Sequence, residues 1–312
     1  MDSALSVDDQ AVTLDFFPYF RMYKDGRVER FFDSPIVPAS NDHQSTGAAV
    51  RSKDVVISPE NKVSARLFLP NSVEKDEKLP ILIYFHGGAF AIESAFSSQY
   101  HSYVSSVVVE AKILAVSVEY RLAPENPLPA CYEDAWAALN WVISHAKNRH
   151  LGPDPWITDH ADFSRIFVAG DSAGGNIAHD TVARASTEGI EDGVKILGMI
   201  LAHPYFGSGE IEKIWEVICS DSKGPEDPRL NPMAHPDLLL KLKCSKVLIF
   251  IAEKDFIRER GQIYYEALKN SGWSGELGII ESEGEEHCFH LKRLDSDNAR
   301  ILMERLVNFI NK

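Results

Sequence analysis

The pentapeptide Gly170-Asp171-Ser172-Ala173-Gly174 holds a serine with a glycine two residues away on either side. It follows the apolar run Arg165–Ala169 and precedes the helix-like stretch Asn176–Ala185, so the pattern predicts a strand, a sharp turn and a helix. Glycine at both flanks removes side chains that would collide in so tight a turn and leaves the hydroxyl exposed. Ser172 is therefore a candidate nucleophile, although Gly, Ser and Asp also build ordinary surface turns. A serine hydroxyl is weak at neutral pH. To attack a carbonyl it needs a base, an acid that orients the base, and donors for the oxyanion that forms.

Each of these is available at the end of an apolar run. His86-Gly87-Gly88-Ala89 directly follows Leu79–Phe85, and small residues there let backbone N–H groups approach a substrate oxygen. Gly87, Gly88 and Ala89 are candidate oxyanion donors, with the N–H of Ala173 just after the nucleophile; a backbone donor tolerates alanine in the third place. Asp255 follows Lys246–Ala252 as the candidate acid, with Glu253 its nearest competitor. His287 and His290 both lie shortly after Leu277–Ile280, and either could be the base. The order Ser172, Asp255, His287 is that of an α/β-hydrolase site.

Positioning such groups requires a sheet, and the chain reads as one. Asp54–Ser58 and Val63–Leu69 form an antiparallel hairpin pattern. From residue 79 onward, apolar strands alternate with helical patterns at Tyr100–Glu110, Tyr132–His145, Asn176–Ala185, Tyr264–Ser271 and Asn298–Ile310. This alternation predicts an α/β fold with a mostly parallel central sheet flanked by helices. The whole chain, 1–312, is expected to form a single domain. Residues 1–50 show no clear strand pattern and are read as an extension that packs on the rest. Residues 206–242, punctuated by Pro and Gly between strand patterns, are read as an insertion above the sheet. Together they would form a small cap, with Phe17, Tyr19, Phe206 and Trp215 as candidate substrate-pocket liners; for each, ordinary core packing is the competing reading.

Composition narrows the partners. A net charge of −14 repels nucleic acid and anionic lipid, so neither is expected as a partner, and no apolar run is long enough to span a bilayer. The acidic N-terminus has no charged start with an apolar core, and there is no N-x-[ST] acceptor. Cys131, Cys219, Cys244 and Cys288 are widely separated and form neither a metal motif nor a disulfide framework. A reduced, cytoplasmic protein is expected, working without metal or organic cofactor on a small-molecule substrate, as a monomer or weak homodimer.

The motifs together resemble a known group. Tyr84–Phe90, Glu119–Glu125 with Pro129–Asp134, Gly170–Asn176, Glu253–Asp255 and Glu286–His290 are similar to plant carboxylesterases of the hormone-sensitive-lipase-like branch of the α/β-hydrolases, as is Tyr23–Glu29. The branch also contains gibberellin receptors, 2-hydroxyisoflavanone dehydratases and indole-alkaloid cyclases. The resemblance implies an α/β-hydrolase fold, Ser172 as nucleophile, Asp255 as acid and His287, not His290, as base. Receptors of this pattern lose the base, cyclases replace it, and dehydratases can carry threonine at the nucleophile. An intact set therefore favours a serine carboxylesterase acting on an ester of a plant specialised metabolite. A lyase or cyclase, with or without ester hydrolysis and decarboxylation, is the alternative, and a gibberellin-type receptor is the third reading. The insertion is shorter than in many relatives, which points to a reduced lid.

Overall fold

The computed structural model describes residues 11–32, 34–40, 49–147, 154–191, 193–207 and 212–312. At the N-terminal end, β1 (Val12–Phe16), β2 (Phe20–Tyr23) and β3 (Val28–Arg30) form an antiparallel sheet of their own. No strand pattern is legible there because the strands are short and half-exposed, so neither face is uniformly apolar. An Asp15–Arg21 ion pair at 2.7 Å spans the first hairpin. This small sheet is strapped to the body by Arg30, which donates to Ala91 O at 2.7 Å and pairs with Glu125 at 2.7 Å.

The main sheet begins with the antiparallel pair β4 (Val50–Ser58) and β5 (Val63–Pro70). Then follow β6 (Leu79–Phe85), α1 (Ser98–Ala111), β7 (Leu114–Glu119), α2 (Ala130–Lys147), α3 (Pro155–His160), β8 (Ala161–Asp171) and α4 (Ala173–Glu188). β9 (Ile196–Ala202) leads into the insertion, which holds α5 (Lys213–Ile218), two 3-10 turns and α6 (Pro236–Leu239). The chain closes with β10 (Lys246–Ala252), α7 (Arg258–Asn270), β11 (Glu276–Ser282), α8 (Phe289–Lys292) and α9 (Asp297–Asn311).

The strand order is β11-β10-β9-β8-β6-β7-β5-β4, parallel from β11 through β7 and antiparallel at β5 and β4. β6 and β10 are buried along their whole length, as strands covered on both faces must be. Their side chains alternate between two cores. Ile81, Ile83 and Phe85 pack with Leu139 of α2, Ile177 of α4 and Tyr264 of α7; Leu82 and Tyr84 pack with Val104 of α1 and Leu306 of α9. α9 starts at Ser296, whose hydroxyl accepts the Ala299 N–H at 3.2 Å. Among the described residues no helix is long and apolar enough to cross a membrane.

Candidate active site

Ser172 sits between β8 and α4 with φ 52° and ψ −118°, a conformation costly for any residue with a Cβ. The surrounding glycines make it possible. A Cβ on Gly174 would lie 2.0 Å from Phe85 O, and one on Gly170 would lie 2.3 Å from the carbonyl of Gly174. β8 can therefore turn into α4 directly against the end of β6, so the serine projects beside the His86–Ala89 loop.

Asp255 lies in the turn after β10, with Oδ1 accepting the Ile257 N–H at 2.9 Å. Its Oδ2 accepts from His287 Nδ1 at 2.9 Å, and His287 lies in the segment after β11, the neighbouring strand. Burial alone would push the Asp255 carboxyl up, but hydrogen bonds from His203 and His287, with the Ile257 N–H, hold it well below the usual carboxylate range. Asp255 stays ionised, and its acceptor oxygen requires the proton of His287 on Nδ1, leaving Nε2 free to act as a base. Ser172 and His287 line one cavity of about 180 Å³. Glu253 faces elsewhere: its Oε2 accepts the Gly284 N–H at 2.7 Å.

His290 occupies another place. It is buried, neither ring nitrogen has a hydrogen-bond partner among the described residues, and Tyr103 packs edge-on at 4.9 Å. Burial pushes its pKa well down. It does not line the cavity shared by Ser172 and His287.

The loop after β6 supplies donors, with one correction. Gly87 cannot serve, because its N–H is already given to the Tyr100 hydroxyl at 2.8 Å. Gly88 and Ala89 both line the cavity, at φ 106° and 53°, and among the described residues their N–H groups have no acceptor. Ala173 is buried behind Ser172 and is not itself a wall, but its N–H opens α4 and has no intrahelical acceptor. These three groups can stabilise negative charge beside Ser172.

The expected pocket liners separate. Tyr19 lines the cavity. Phe17 is 75% exposed and meets the Phe31 ring, 5.5 Å away. Phe206 and Trp215 are fully buried: Phe206 stacks on Tyr264 at 4.7 Å, and Trp215 meets the edge of Phe90 at 6.0 Å. Neither lines the cavity, because both pack into the buried apolar core. Beside Tyr19, the cavity is lined by Phe32, Ile92, Tyr205, Ile214, Phe256 and Leu291. Three of these follow a functional segment closely (Ile92, Phe256, Leu291), a neighbourhood signal the sequence does carry.

Two further residues escape sequence reasoning. Asp171, fully buried, accepts from Tyr84 at 2.7 Å and from Tyr100 at 2.8 Å; burial raises its carboxyl although these hydroxyls oppose the shift. His203 donates from Nδ1 to Asp255 Oδ2 at 3.0 Å. It follows β9 and stands at φ 48°; a histidine at a strand end is the signal that could have found it. His203, Asp255 and His287 lie within 4.8 Å of one another, as metal ligands would, but two Nδ1–H donors on one carboxylate oxygen account for the spacing.

Fold and site define a class. Residues 82–291 match the family described by the α/β-hydrolase fold, and the chain belongs to that family. It is 45% identical to a 2-hydroxyisoflavanone dehydratase of Glycyrrhiza echinata, covering 94% of each chain. It is 44% identical to "Probable carboxylesterase 7" of Arabidopsis thaliana, over 97% of this chain and all of that one. Among solved structures, an esterase of Pyrobaculum calidifontis superposes with a TM-score of 0.67 at 25% identity, covering 83% of this chain and 84% of the other.

Proposed function

We propose that this protein is a serine carboxylesterase. The observation that carries the reading is the His287–Asp255 hydrogen bond at 2.9 Å on the wall of the cavity that also holds Ser172. His287 Nε2 takes the proton of Ser172 as its oxygen attacks the ester carbonyl. The N–H groups of Gly88, Ala89 and Ala173 stabilise the resulting oxyanion. His287 then gives the proton to the leaving alcohol, and water, deprotonated by the same nitrogen, releases the acid from Ser172. Asp255 keeps the imidazole tautomer and stabilises the imidazolium. A cavity of about 180 Å³ suits a short acyl group, with the larger part of the ester beyond the rim at Phe32 and Phe256. A metabolite ester of plant origin fits the relatives.

Residues 1–312 act as one domain in this reading, with the β1–β3 sheet and the α5–α6 insertion as its cap. All four cysteines are free and buried, which suits a reducing compartment, and the cytoplasm is the location we infer. The catalytic assignment is tested with p-nitrophenyl acetate. Ser172→Ala and His287→Ala should each lose about a thousandfold or more in kcat. Near-wild-type turnover by Ser172→Ala would remove the nucleophile, and loss of activity in His290→Ala with retention in His287→Ala would move the base.

A second reading draws on one observation, the 45% identity to a protein named as a dehydratase. In it the same oxyanion donors and His287 promote elimination of water from a plant metabolite without an acyl-enzyme. A fluorophosphonate adduct on Ser172 with ester turnover favours the esterase. Water loss that survives Ser172→Ala favours the lyase.

A further inference from the structure

The oxygen of Asp255 that holds His287 holds a second histidine as well. His203 Nδ1 lies 3.0 Å from Oδ2 and His287 Nδ1 lies 2.9 Å from it, while Oδ1 takes the Ile257 N–H. An ionised carboxylate only accepts, so His203 must carry its proton on Nδ1. Its Nε2 is buried and has no partner among the described residues. The ring is closed off by His290, stacked at 5.4 Å and 10°, and by the edge of Phe289 at 5.9 Å. Burial pushes its pKa down, so it donates as a neutral imidazole. The backbone is held to this end: His203 sits at φ 48°, where side chains rarely stand, with its N–H on Phe250 O at 2.8 Å.

We propose that His203 is a positioning residue, a neutral Nδ1–H donor that pins Asp255 and shares its charge with His287. The inference rests on the esterase reading of Ser172, His287 and Asp255. A carboxylate with one oxygen on a backbone N–H and the other on a buried ring cannot rotate when His287 changes protonation or shifts towards substrate. Because His203 draws on the same Oδ2, it also moderates the pull of Asp255 on the imidazolium and so keeps His287 from becoming too strong a base to release its proton to the leaving group. The other titratable groups facing this cluster are His290 and Cys288 from the segment after β11 and Asp171 at the end of β8, with Lys292 nearby.

The test compares His203→Phe with His203→Asn, whose amide N–H can replace Nδ1–H, by the pH profile of kcat/KM for p-nitrophenyl acetate. In His203→Phe the acid limb should move up by about half a pH unit or more, and kcat should fall about tenfold. His203→Asn should return the limb to its wild-type position. A His203→Phe enzyme with lowered thermal stability but an unmoved limb would make His203 a packing residue and overturn the proposal. Because that variant could fail to fold, a second measurement uses nitrogen-15-labelled histidine at neutral pH. Two strongly deshielded Nδ1–H resonances are expected, one of which survives in His287→Ala; loss of both in that variant would overturn the proposal equally. If the wild-type protein hydrolyses no ester, the esterase reading falls, and the surviving resonance still reports on His203.

Discussion

A single phenol, that of Tyr100, ties the loop after β6 to the turn that carries Ser172. It accepts the Gly87 N–H and donates to Asp171 Oδ2, both at 2.8 Å. This commits Gly87 to structure and leaves Gly88 and Ala89 to face the cavity. Tyr100→Phe should release the loop, leaving the buried Gly87 N–H unpaired at about 1–3 kcal/mol and Asp171 Oδ2 with the weaker Cys288 thiol donor at 3.6 Å. The expected outcome is a drop of about tenfold in kcat/KM for p-nitrophenyl acetate together with a lower Tm. Tyr84→Phe is the control. Tyr84 bonds the other oxygen of Asp171 at 2.7 Å without contacting Gly87, so it should cost stability and spare the rate. Equal rate losses in the two variants would show that Asp171, and not the link to Gly87, is what matters.

At the scale of elements, four adjacent parallel strands deliver the site. Ser172 follows β8, His203 follows β9, Asp255 follows β10 and His287 comes after β11, so neighbours in the sheet become neighbours in the site. The geometry depends on how closely β8 and α4 approach the end of β6. Gly174→Ala tests that contact, since its methyl would fall 2.0 Å from Phe85 O and 2.6 Å from His86 O, both backbone atoms that cannot yield. We expect a loss of at least about 1–3 kcal/mol in urea unfolding and severe loss of esterase activity. Retention of both would mean that the turn tolerates a shift of β6. The local pattern predicts this strand, turn and helix, because an apolar run, a glycine-flanked serine and a helical stretch follow one another within a few residues. It was blind to β1–β3, whose short strands gain their order from contacts such as Arg30–Glu125, 95 residues apart.

The molecule as a whole keeps several histidines neutral. Burial pushes His86 and His179 down to about 4, and lowers His101, His203 and His290 as well. In the unfolded chain each would take a proton below about pH 6.5. Their contribution is therefore complete above that pH and is lost as pH falls towards the folded values. Buried acids work in the opposite sense: Glu119 is pushed up to about 7, Asp180 to about 6, and Asp171 is raised too, so the folded state holds protons that the unfolded chain releases. Five depressed histidines stand against three raised acids, so on balance stability falls as pH drops below the unfolded histidine value. Thermal melts should show Tm falling between pH 7 and pH 5. A Tm that held or rose over that interval would show that these rings are not neutral in the fold.

What the sequence determined by itself was the part of the protein written in local patterns. Strand runs, the glycine-flanked serine, the Gly-Gly loop and acid and base at strand ends are each legible within a few residues, and their order along the chain is a one-dimensional property. Choosing Asp255 over Glu253 and His287 over His290 took the resemblance as well. Only the tertiary structure decided which groups meet. Gly87 has a donor's place in the chain, but Tyr100, 13 residues on, holds its N–H. Phe206 and Trp215 had the right character for a pocket wall and went into the core, whereas Phe256, 72% exposed, came to lie 5.0 Å from the His287 ring. His203 joined Asp255 across 52 residues. Burial and hydrogen bonding between distant segments depend on how strands pair and helices pack over them, and no spacing along the chain encodes that. The same candidates, read locally, could have made a different site.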